Sequence, residues 1–121
     1  ETQIEVAPSE ARKLGINAPL RESGDLAGSS PIKLVGPKGE VELSQGAIIA
    51  ARHVHLTPET AAKHGIKDKD LLNLRVEGDR SVVFENVVAR VSPSYADEAH
   101  IDVDEGNACC GANDAMVTVF R

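Results

Sequence analysis

A chain of 121 residues with 13 Lys and Arg against 19 Asp and Glu has room for one modest core, and its net charge of -6 leaves no cationic surplus for gripping nucleic acid or an acidic membrane. Its few aromatic residues, Phe84, Tyr95 and Phe120, exclude a stacking platform for single-stranded bases. Apolar runs such as GAIIAA at 46–51 fall far short of a membrane span.

In chain order, QIEV at 3–6 predicts a strand. PSEARKLGI then predicts a short helix with Pro8 in its first turn and Gly15 as its stop. The stretch 11–30, ARKLGINAPLRESGDLAGSS, contains the one long polar loop, either mobile or covering a site. PIKLV, EVEL and AIIAARHVHL read as strands, with Gly-Pro-Lys-Gly at 36–39 as a hairpin turn. LLNLRV and SVVFENVVARV are runs joined at Gly78 and Asp79, HIDVD at 100–104 alternates as a strand, and AMVTVF closes the chain. Short connections predict mostly antiparallel pairing. The expected fold is mainly β, an antiparallel β-barrel with short capping α-helices spanning residues 1–121 as one region.

Residues 5–16, EVAPSEARKLGI, lie over residues 55–66, HLTPETAAKHGI, without a gap. Pro8 matches Pro58, Ala11 matches Ala61, Lys13 matches Lys63, and Gly15-Ile16 matches Gly65-Ile66. Thr57 is a good N-cap and Ala7 a poor one. Two copies of one strand-helix unit suggest pseudo-symmetry, and they put Glu5 at the position equivalent to His55.

Alternate side chains of a strand share a face, so His53 and His55 project together with Cα atoms roughly 7 Å apart. Neutral imidazoles at that spacing can converge on one Zn²⁺ at about 2.0 to 2.1 Å. His100 is the candidate third ligand and Glu5, through the repeat, the fourth. The plainer reading of His-x-His is two partly exposed polar residues. Asp102, Asp104 and Glu105 are either acceptors that orient a ligand histidine or a solvated acidic strand. Arg21, Arg52 and Lys63 suit phosphate groups and ordinary surface positions equally. His64 complements a helix dipole, and Cys109 and Cys110, adjacent and so poor disulfide partners, read as small buried or loop thiols in a reducing cytoplasm.

GAIIAARHVHLTPETAAKHGIKDKD, VVARVSP, AHIDVDEGNAC, KLGINAPLRESGD and IKLVGPKGEVEL together resemble the PduL-type phosphate propanoyltransferases, bacterial phosphotransacylases that exchange acyl groups between coenzyme A and phosphate. The resemblance runs over essentially the whole chain. It implies two β-barrel domains, a two-zinc active site between them, and homo-oligomeric assembly. It implies His53, His55 and His100 as catalytic residues and as ligands of one zinc, with Glu5 as the acidic ligand. Acyl-CoA and phosphate are the implied substrates. The implied setting is the bacterial cytoplasm, for some members a bacterial microcompartment devoted to propanediol degradation.

The family also carries a further His-x-His segment for the other zinc, and a phosphate-binding arginine just before the stretch equivalent to ETQIE. Neither lies in this sequence, which starts without Met. The expectation is therefore a C-terminal portion completed by an N-terminal region or a companion chain. Two rival readings share the ligands: a zinc-stabilised β-barrel that only binds or assembles, and a zinc hydrolase using metal-bound hydroxide.

Overall fold

Pro8 and Pro58 each open a short helix, α1 (Pro8–Leu14) and α2 (Pro58–Lys63), at positions whose N–H would lack an intrahelical partner in any case. The computed structural model describes residues 3–109 and 116–121, and it closes the two helices alike. The Ile16 amide donates to the Ala11 carbonyl at 3.0 Å, and the Ile66 amide to the Ala61 carbonyl at 2.8 Å. Gly15 and Gly65 take left-handed φ of 72° and 65°, which a side chain would strain. The starts differ. Thr57 accepts from the Thr60 amide through its side chain, whereas at Ala7 the Glu10 carboxylate reaches back to accept the Ala7 amide at 2.8 Å.

These copies belong to separate compact units, Glu1–Ala51 and Arg52–Arg121. The first contains β1 (Ile4–Glu5), β2 (Leu20–Arg21), β3 (Ser30–Gly36) and β4 (Gly39–Ala50). β3 and β4 form the hairpin expected from Gly-Pro-Lys-Gly, with Gly36 opposite Gly39. EVEL and AIIA prove to be one strand, because the shift in register at Ser30 and Ile32 absorbs the irregularity between them. Gly46 has a φ of 148° there, and its amide donates to Ser29 Oγ at 2.8 Å. β1 and β2 join β4 in parallel, Ile4 beside Ala47 and Leu20 beside Ile49. The loop expected over 11–30 is largely pinned: Leu26, Ser29 and Ser30 are buried, and Ser29 Oγ donates to the Leu26 carbonyl.

The second unit holds β5 (His53–Leu56), β6 (Leu71–Val76), β7 (Val82–Val91), β8 (Glu98–His100), α3 (Val103–Ala108) and β9 (Thr118–Phe120). Its curled five-stranded sheet runs β8-β5-β7-β6-β9, with β5 and β7 parallel and the other pairs antiparallel. Val54, Leu56, Leu72, Leu74, Val76, Val87 and Ala89 fill its core, with Ala61 of α2 and Cys109 packed in. On β7 the core side passes from Val82 and Phe84 to Val87 and Ala89, a break in strict alternation. A bulge explains it, since Leu72 pairs with Val87 but Leu74 with Phe84, and Asn86 takes a φ of 56° between them.

Three expectations need correction. The fold is mainly β, but its sheets are mixed rather than antiparallel: hairpin lengths predict pairing between sequence neighbours, while β1 and β5 bypass theirs to run parallel to β4 and β7. AIIAARHVHL is two strands in two units, ending at Ala50 and resuming at His53. HIDVD is not one strand, because Asp102 caps α3. Its Oδ1 accepts the Glu105 amide at 2.8 Å while Glu105 Oε1 accepts the Asp102 amide at 2.9 Å, a reciprocal cap that outcompetes strand extension. In AMVTVF the strand covers Thr118–Phe120, and Ala115, like Cys110, lies outside the described residues. Among the described residues no helix is long and apolar enough to cross a membrane.

Candidate metal centre

Alternation along β5 sends Val54 and Leu56 into the core and leaves His53 and His55 together on the other face. β8 runs antiparallel along one edge, so His100 pairs directly with His53, and Glu98 with His55. β7 runs parallel along the other edge, setting Val88 beside His53 and Arg90 beside His55. Paired residues share a face, so two rows form: His100, His53, Val88 in one, and Glu98, His55, Arg90 in the other. Burial of Val54, Ala89 and the partly buried Ala99 on the reverse fixes this register, since a slip of one residue would turn the imidazoles into the core.

The three rings converge. His53 and His100 stack with centroids 5.0 Å apart and 13° between planes, while His55 lies 5.0 Å from His53 and 4.5 Å from His100. One nitrogen from each falls within 4.8 Å of the others. Three nitrogens bound tetrahedrally at the usual Zn–N distance would stand roughly 3.4 Å apart, so small side-chain rotations close the set. Tyr95 stacks on the outer side of His55 at 4.0 Å and 11°, limiting the planes that ring can adopt.

Two features fit these side chains to a cation. His100 Nε2 is buried without a hydrogen-bond partner, its nearest acid being Glu98 Oε2 at 3.4 Å. A buried nitrogen left unpaired is costly, and a bound metal ion removes that cost. The pKa of His55 is lowered, first by burial, then by the charges of His100, His53 and Arg90, against an opposing pull from Glu98. A neutral imidazole is the form that ligates metal.

Of the four ligands expected from sequence, the structure gathers His53, His55 and His100 in the second unit. Glu5 lies on β1 of the first unit, where its carboxylate accepts from Gln3 Nε2 at 2.8 Å and from Ser23 Oγ at 3.2 Å. The other acids have structural work. Asp102 caps α3, burial raising its pKa first of all, and Glu105 also binds Arg52 Nη1 at 2.6 Å. Arg52 further donates to the Glu85 carbonyl and lies over Phe84, so it fastens α3 to the sheet. His64 is exposed at the end of α2, and Cys109 is buried with Sγ near the Glu105 carbonyl. Sequence reasoning missed Glu98, Arg90 and Tyr95. VVARV already put Val88 and Arg90 on one face, but only the pairing of β7 with β5 brings that face beside the histidines.

The family model described as phosphate propanoyltransferase matches residues 1–112. The phosphate propanoyltransferase of Listeria monocytogenes is 45% identical over 109 residues, covering 90% of this chain and 51% of that protein. That of Lachnoclostridium phytofermentans is 47% identical over 119 residues, covering 98% and 56% respectively. That of Clostridioides difficile is 45% identical over 121 residues, covering 100% and 58%. The chain thus spans about half the length of the curated relatives it matches, and the matched half is their C-terminal part.

Proposed function

The chain belongs to the phosphate propanoyltransferase family, and from that premise we propose that the whole protein moves an acyl group, propanoyl or acetyl, between coenzyme A and inorganic phosphate at a zinc site built on His53, His55 and His100. The second zinc and an additional arginine come from the remaining half of the protein, and the sheet of the second unit is part of a closed barrel. The complete protein is a homo-oligomer of the bacterial cytoplasm, in some hosts of a microcompartment. The convergence of the three imidazoles carries the reading.

An oxygen of hydrogen phosphate forms a bond to the acyl carbon as the carbon–sulfur bond breaks, and the proton that phosphate gives up goes to the departing thiolate, giving acyl phosphate and the thiol of coenzyme A. Zinc supplies Lewis acidity, offsetting negative charge that develops on the acyl and phosphate oxygens. The chain's residues prepare the place. His53 and His100 hold each other in a stacked pair, Tyr95 sets the plane of His55, and the depressed pKa of His55 keeps its nitrogen free for a ligand.

The test is release of free thiol from propanoyl-CoA by the whole, zinc-loaded protein. Release that requires phosphate supports acyl transfer. Release without phosphate marks a hydrolase, and no release marks a zinc-stabilised binding or assembly module.

A further inference from the structure

Arg90 ends the second register row, beside His55 and on the face that carries all three imidazoles. Neighbouring strands lie about 4.8 Å apart, so a side chain as long as that of arginine reaches a group bound over His55. Arg90 is also the one cation among the strand partners on this face, which are otherwise His100, Glu98, Val88 and, beyond Val88, Leu71.

The half-buried arginines of the described residues divide in two by what they bind. Arg21 donates to the Leu20 and Ala27 carbonyls, and Arg52 to the Glu85 carbonyl and the Glu105 carboxylate. The Arg90 guanidinium is committed to no carboxylate or carbonyl among the described residues. Glu98, the acid on the opposite flank of His55, approaches His100 instead, at 3.4 Å. A half-buried arginine paired beside His55 in the sheet, with no counter-charge among the described residues, is set to receive an anion.

Resting on the acyl-transfer reading, we infer that Arg90 binds phosphate oxygens of the substrate beside the imidazole cluster. Two parallel N–H donors of the guanidinium match two oxygens of a phosphate, fixing its orientation as well as its charge. The phosphate is either inorganic phosphate, the acyl acceptor, or a phosphate group of coenzyme A.

The experiment compares Arg90→Gln and Arg90→Lys with wild type in the whole, zinc-loaded protein. Zinc content, KM for inorganic phosphate, KM for propanoyl-CoA and calorimetric binding of inorganic phosphate are measured. Zinc content is expected to stay at the wild-type level. Arg90→Gln is expected to raise one KM by roughly tenfold or more, with Arg90→Lys recovering part of the loss, as for loss of a charge-assisted hydrogen bond. A rise in the phosphate KM, with weaker phosphate binding, identifies the acceptor. A rise confined to the propanoyl-CoA KM identifies the phosphates of coenzyme A. Unchanged KM values and phosphate binding, or loss of zinc from the variants, would overturn the inference. Failure of acyl transfer itself shows separately, as wild type without phosphate-dependent thiol release, and calorimetry then still reads Arg90: equal phosphate binding by wild type and Arg90→Gln rejects its role, and weaker binding by the variant upholds it.

Discussion

His53 and His100 face each other across the ladder between β5 and β8 with their rings stacked at 5.0 Å, and the Nε2 of His100 has no hydrogen-bond partner. Without metal, that buried nitrogen is a liability. The apolar His100→Phe removes an atom that makes no hydrogen bond and only a 3.4 Å approach to the exposed Glu98 carboxylate, so metal-free protein should keep its stability to within about 1 kcal/mol. With zinc present wild type should be the more stable, because it gains binding free energy that the variant forgoes. Thermal unfolding with and without zinc checks both halves.

Zinc loading should depend on pH in one direction. The folded pKa of His55 lies below the ordinary 6.5, so the folded state takes up that proton less readily than the unfolded chain. In metal-free protein this contributes stability that is fully present above the unfolded pKa and is lost as pH falls through the folded one. Zinc requires all three imidazoles neutral, so apparent affinity should change little near pH 8 and fall progressively more steeply toward pH 5. A chelator-competition titration measures it, and pH-independent affinity would speak against imidazole ligation.

Asp97 holds the start of α2 near the cluster. Its Oδ1 accepts the Thr57 amide at 2.9 Å and its Oδ2 the Thr60 hydroxyl at 2.7 Å, and these bonds, that of Thr60 first, keep its carboxyl below the usual 3.8. Asp97→Ala should destabilise the fold by about 1 kcal/mol at pH 7, a modest loss because the pair is exposed. The sign follows from the depressed pKa: the contribution is present above the unfolded value and disappears as pH falls through the folded one. Denaturant titrations of wild type and variant should therefore differ at neutral pH and draw together as pH falls below the ordinary carboxylate range.

The histidine cluster was legible before the structure because it depends on the simplest periodicity. His53 and His55 are two apart, and Val54 and Leu56 between and beyond them fix which side faces out. The repeat was legible for a similar reason, since Pro8, Gly15 and their counterparts Pro58 and Gly65 carry local constraints that survive without tertiary context. Alternation points to His100 for a reason that is only partly right. It does share a face with His53, but the strand that alternation extends through Asp104 ends at His100, and Asp102 and Glu105 beyond it cap α3. D-x-x-E is a cap signature, and it was present in the sequence to be weighed against alternation. Parallel pairing could not be read at all, nor the place of Arg90, because which strands become neighbours is a property of the whole sheet and not of any window along the chain.

On the proposed function, His53, His55 and His100 together hold one divalent ion. Elemental analysis of the whole protein, purified without chelators, tests it against the triple variant His53→Ala, His55→Ala, His100→Ala. Wild type should carry one zinc more per chain than the variant, with near-ultraviolet spectra showing both folded. Equal metal content in the two proteins would contradict it.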